Sequence, residues 1–151
     1  MRKIAIIAFS TLLFTGCASV PIANPQLAAS LKTFKLPQQD KAGLYIYRAG
    51  GIGASIKKDI KINGNCIGET APNIFFYEEV LGNQEYTIST ESEFSPNELK
   101  LFVKGGQNYF IKQYIKPGVF VGGANLKVVD NAEGQKVVQK LKLAEKGQCG
   151  K

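Results

Sequence analysis

GLYIYR, residues 43–48, alternates aliphatic and aromatic side chains: Leu44 and Ile46 fall on one side, Tyr45 and Tyr47 on the other. A period of two places successive side chains on opposite faces, which is the signature of a β-strand. The same period recurs outward from it. KKDIKI (57–62) sets Ile60 and Ile62 on one face, and Asn63-Gly64, a strong hairpin turn signal, leads into CIGE (66–69). IFFYEEV (74–80) and EYTISTES (85–92) flank Leu81-Gly82-Asn83, and ELKLFVK (98–104) and QNYFIKQYIK (107–116) flank Gly105-Gly106. Each pair is expected to form a hairpin. Pro117-Gly118 breaks the chain before a final strand-like run, FVGGANLKVV (120–129). Short strands at regular spacing predict an all-β fold, an antiparallel β-sandwich of about seven or eight strands.

The C-terminal segment changes character. Asp130 followed by Glu133 resembles a capping box, and Val137, Val138 and Leu141 recur at helical spacing. VVQKLKL (137–143) also alternates as a strand would; a short helix over 131–142 is favoured, with Gly134 counting against it. Residues 147–151 read as a tail.

The N-terminus reads as an address. Arg2 and Lys3 precede an uncharged apolar run over 4–14, and Gly16-Cys17 follows. Eleven helical residues span about 16 Å, roughly half of a bilayer core, so a transmembrane helix is not expected. A basic start, a short apolar middle and a small-residue end describe a secretory signal peptide over residues 1–16. The ending LFTGC (13–17) resembles the lipobox of bacterial lipoproteins, with Phe14 where leucine is more usual. That resemblance implies cleavage between Gly16 and Cys17 and a diacylglyceryl group on Cys17. Ala18 stands where the inner-membrane retention signal has Asp, which implies the outer membrane, the periplasmic face being favoured over the cell surface. Residues 17–41, with prolines at 21, 25 and 37, are expected to be a flexible tether with one helical turn near 26–33. The domain proper is expected over 42–146.

Charge and cysteine content narrow the classes. The chain has 19 basic and 12 acidic side chains; loss of Arg2 and Lys3 with the leader would leave 17 and 12, a net of +5. Residues 62–99 contain no Lys or Arg but include Glu69, Glu78, Glu79, Glu85, Glu91, Glu93 and Glu98. Opposite charges on neighbouring strands can pair across a sheet; attraction to anionic headgroups is the alternative. No basic motif points to nucleic acid. Lipidation of Cys17 leaves Cys66 and Cys149, for which an exported location favours a disulfide.

Lys41-Ala42-Gly43-Leu44-Tyr45-Ile46-Tyr47-Arg48, then Ile62-Asn63-Gly64 with Ile67-Gly68, Phe75-Phe76-Tyr77, and 104–111 (KGGQNYFI) together resemble domain-of-unknown-function family 2846 (DUF2846). The resemblance covers roughly residues 40–145 and implies a compact β-rich domain in a bacterial lipoprotein. It implies no reaction and no catalytic residue.

The residues themselves offer little chemistry. There is no histidine, which closes the Ser-His and Cys-His routes. Gly50-Gly51-Ile52-Gly53-Ala54-Ser55 lacks the Lys of a phosphate loop. Glu91, Glu93, Ser95, Asn97 and Glu98 are oxygen-rich but fit no EF-hand frame, so neither a metal nor a cofactor is expected. Two function classes stay open. The first is a binding or structural accessory of the envelope, contacting a protein or glycan. The second is an enzyme acting on cell-wall or glycan material through paired glutamates, although nothing fixes such a pair. For the first, Tyr45 and Tyr47 are the candidate partner-binding pair, expected to be half-exposed on the outside of the sheet.

Overall fold

The computed structural model describes residues 17–150; the leader predicted over 1–16, Gly16 included, lies outside them. A short helix, α1 (Pro25–Leu31), precedes eight strands: β1 (Lys41–Arg48), β2 (Lys58–Ile62), β3 (Asn65–Thr70), β4 (Ile74–Leu81), β5 (Gln84–Thr90), β6 (Asn97–Val103), β7 (Gln107–Lys116) and β8 (Gly123–Val129). Helix α2 (Asn131–Val138) and a two-residue strand, β9 (Lys142–Leu143), complete the order. The strands form a five-stranded sheet, β8-β7-β1-β4-β9, and a four-stranded sheet, β3-β2-β5-β6. The fold is the expected β-sandwich, with one sheet mixed: β1 runs parallel to β7, and β4 parallel to β9.

Of the three expected hairpins, only β2–β3 forms as one. Its turn has Asn63 at φ 48° and Gly64 at φ 78°, the left-handed pair that an Asn-Gly turn supplies. The other two turns carry the chain from one sheet to the other. β4 has β1 and β9 on its two edges, while β5 pairs with β2 and β6. The glycines between them serve close approach rather than hairpin closure. A Cβ on Gly82 would overlap the backbone of Gly105, and one on Gly105 would overlap the Gln39 carbonyl. The turn amides bond to other segments, Gly82 N–H to Asp40 O at 2.8 Å and Gly106 N–H to Lys41 O at 2.7 Å.

Apolar side chains fill two layers. Leu44, Ile46, Ile60, Phe76, Ile88, Val103 and Ile111 lie between the sheets. Tyr45, Tyr47, Phe75 and Phe110 lie on the opposite face of the five-stranded sheet, where α1, Phe34 and α2 cover them. The face assignment from GLYIYR therefore holds, but the expected exposure of Tyr45 and Tyr47 does not: they are 1% and 0% exposed. The cause is the segment expected to be a flexible tether. Leu31 and Phe34 pack onto this face, Ile22 bridges Ala144, and the Tyr45 hydroxyl donates to Leu31 O at 2.9 Å. Residues 18–41 are part of the domain.

The ambiguous stretch after Asp130 takes both of its readings in turn. Asp130 Oδ1 accepts from Glu133 N–H at 2.8 Å, capping α2, which ends at Val138; Leu143 then pairs beside Phe75 in β9. Gly134 is there because α2 presses on β7, where a Cβ would overlap the Phe110 ring.

Candidate functional site: the loop end of the sandwich

Strand directions gather four connections at one end: 49–57, 71–73, 91–96 and 117–122. Two of them are notable for what they lack. Residues 49–56 and 117–124 read AGGIGASI and PGVFVGGA, without a charge. Ile52 is 80% exposed, Phe94 78%, Val119 75% and Phe120 83%. All four belong to this end. No other large hydrophobic side chain among the described residues is three-quarters exposed.

Specific groups hold these loops. Arg48, buried at the end of β1, donates from Nη1 to Ile56 O at 2.6 Å and from Nη2 to Gly53 O. Burial lowers its pKa; the two carbonyls compensate for the desolvated charge. Glu93 accepts the backbone N–H of Val119 at 2.6 Å, of Phe120, and of Val121 at 3.2 Å. Desolvation pushes the Glu93 carboxyl up, but these three donors outweigh it and hold the pKa below the usual carboxylate range. Its charge is thus taken up by the loop that presents Val119 and Phe120. Glycines let the loops fold tightly: Gly53 has φ 80°, a left-handed conformation.

The start of the described chain lies at the same end. Ala18 N–H donates to Ala54 O at 2.9 Å, and Ala18, Ser19 and Val20 line a cleft with Ala71, Pro72 and Asn73. Cys17 is exposed with a free thiol, one residue from loop 49–57. The remaining cysteines are far from it in role. Cys66 and Cys149 are joined as a disulfide with Cα atoms 5.9 Å apart. It fixes the tail along β3 and β2: Gly147 N–H donates to Ile67 O of β3 at 3.0 Å, and Gly150 N–H to Asp59 Oδ1 of β2 at 3.0 Å.

Two glutamates of the oxygen-rich run, Glu91 and Glu93, have structural partners. Beside a cleft of about 200 Å³ at this end, Glu91 accepts Asp59 N–H at 3.0 Å and lies 3.8 Å from Lys58 Nζ. Burial pushes the Asp59 carboxyl up, opposed by the Gly150 N–H. Asn97, from the oxygen-rich run, donates to Ala124 O at 2.5 Å. No cluster of three metal-ligating side chains occurs among the described residues. Nor is any helix among them long and apolar enough to cross a membrane.

The first loop was read only as a connection, and Phe120 was placed in the strand-like run 120–129, whereas β8 begins at Gly123 and leaves Phe120 in the loop. The signal was present: a hydrophobic side chain in the middle of each uncharged, glycine-rich connection.

The architecture defines a class, a two-sheet β-sandwich with one outer face closed by its own helices and a loop end rich in exposed apolar side chains. Within that class the chain belongs to DUF2846, a family described as a protein of unknown function, whose model matches residues 38–124. An uncharacterized protein of Haemophilus influenzae is 48% identical over 133 residues, covering 88% of this chain and 79% of the relative. No solved structure matches the chain.

Proposed function

We propose that this protein is a lipid-anchored component of the bacterial envelope, held at the outer membrane by acylated Cys17 and acting by binding rather than catalysis. The observation that carries the reading is the placement of Cys17. The residue that follows the lipobox-like LFTG is exposed, free, and at one extremity of the domain. A thiol in that position is open to acyl transfer, and several chains on one residue anchor firmly at about 0.8 kcal/mol per buried methylene. The Cys66–Cys149 bond supports an oxidising, exported location.

Binding is favoured because the carboxylates of the candidate cleft, Asp59, Glu91 and Glu93, are committed to backbone amides of the tail, β2 and loop 117–122. With Tyr45 and Tyr47 buried, a partner would meet other surfaces. The outer face of the four-stranded sheet carries Glu85, Glu98, Lys100 and the exposed Phe102, and suits an envelope protein or glycan. Crosslinking in intact cells would name the partner. The anchor itself is tested by Cys17→Ser, which is expected to release the protein from membranes into the soluble periplasmic fraction. Unchanged sedimentation with membranes would refute it.

A further inference from the structure

We infer that the loop end is a membrane-seating surface: Ile52, Phe94, Val119 and Phe120 enter the interfacial layer of the same phospholipid leaflet that holds the acyl chains of Cys17. The inference rests on the anchor reading and adds the orientation of the whole domain.

Three observations carry it. The first is reach. Ala18 is bonded to Ala54, so one peptide unit, about 3.8 Å between Cα atoms, separates an acylated Cys17 from the domain. A flexible stalk of two dozen residues would let the domain hang freely in the periplasm. The docked segment does not; it places loop 49–57 beside the point of insertion.

The second is composition. The four most exposed large hydrophobic side chains occupy this one end, on three separate connections. Scattered exposed hydrophobes are ordinary, whereas a contiguous group marks an interaction surface. The acyl chains proposed on Cys17 start at this same end, where Ala18 is bonded to Ala54, so the occupant that the anchor brings here is a bilayer.

The third is electrostatic. A surface entering an anionic headgroup layer is repelled by unpaired carboxylates and tolerates cations. At this end the carboxylates Glu93, Glu91 and Glu69 are engaged, with three loop amides, Lys58 and Lys57 in turn, and Arg48 is engaged with two carbonyls. Lys116 and Lys142, at the edge of this end, are cations of the sign that anionic headgroups attract. The same bonds hold Val119 and Phe120 outward, so the apolar tips are presented by a fixed loop.

The chain has no tryptophan, so a single introduced indole reports on its own site. Full-length protein processed in cells and purified from membranes would be reconstituted in vesicles of phosphatidylethanolamine and phosphatidylglycerol, with and without brominated acyl chains. The acyl mass on Cys17 is determined on the same material. Phe120→Trp and Val119→Trp are expected to emit blue-shifted light and to be quenched roughly twofold or more by the brominated lipid. Phe102→Trp, near the opposite end of β6, is expected to remain water-exposed and unquenched. Acylated protein in which Phe120→Trp and Val119→Trp emit as in water overturns the seating surface and leaves the anchor standing. A blue shift without lipid quenching also overturns it, since the tips would then be covered by protein, another copy included. Protein without acyl mass overturns the anchor and the seating surface together.

Discussion

Tyr45 is the residue on which the account of β1 turns. Its ring stacks on Phe110 at 4.9 Å between centroids and meets Phe34 edge-on at 5.4 Å, while its hydroxyl holds the end of α1. Burial raises its pKa, with Tyr77 adding to the effect, and Tyr47 is pushed up to about 12 by burial, with Glu133 and Asp130 adding to it. Tyr45→Ala is therefore expected to destabilise the domain by about 3–5 kcal/mol, as large-to-small changes of buried aromatic residues do. Tyr45→Phe is expected to lose only about 1 kcal/mol, the net worth of one hydrogen bond. Chemical denaturation of both variants checks this; an alanine variant as stable as the wild type would restore the tyrosines to the surface. The linkage has a definite sign. A tyrosine whose folded pKa is raised leaves stability unchanged below its unfolded pKa near 10, then lowers it as pH rises toward about 12. The period of GLYIYR told which residues share a face. It could not tell which faces are covered, because the cover comes from Leu31 and Phe34, which period-two reading does not reach. One signal was available: β1 is apolar on both sides, as strands buried on both faces are.

Among the elements, α2 turns on a conflict between propensity and packing. Gly134 costs the helix about 1 kcal/mol relative to alanine, and on that ground it argued against a helix. The same glycine allows α2 to lie against Phe110. Gly134→Ala is expected to destabilise by about 1–3 kcal/mol despite its better propensity, because overpacking against a ring fixed in β7 outweighs the backbone gain. A thermal melt that rises for this variant would show that α2 can move off the sheet. Strand positions were legible because apolar alternation and turn residues are local; β7 matches its predicted span, Gln107–Lys116. Strand partners were not. Gly82 and Gly105-Gly106 look like hairpin turns, yet they lie where two inter-sheet crossings pack side by side. Only three-dimensional proximity distinguishes those roles, and it also yields the parallel β1–β7 pairing.

At the scale of the molecule, the two ends of the sandwich differ in character, and the disulfide closes the chain between them. Joining positions 83 residues apart is worth about 4–5 kcal/mol in the chain-entropy model. Cys149→Ser is expected to lower stability by about 2–5 kcal/mol and to raise hydrogen exchange at Gly147 and Ile67 while leaving β1 and β7 protected. A loss of protection throughout the fold would instead make the tail a keystone of the core. The loop end owes its character to residues distant in sequence: Cys17, Ile52, Phe94 and Phe120 converge only through the topology. Of these, Cys17 alone was singled out from the sequence, because a leader-like run and the residue that follows it are read locally, whereas the loops that meet it are not. The central claim is that this domain is attached to its membrane at Cys17. The intact mass of protein purified from cell membranes tests it most directly. The expected mass is that of a chain beginning at Cys17, lacking residues 1–16 and carrying acyl mass on that cysteine. A mass equal to the full 151-residue chain, or to an unmodified chain beginning at Cys17, would contradict it.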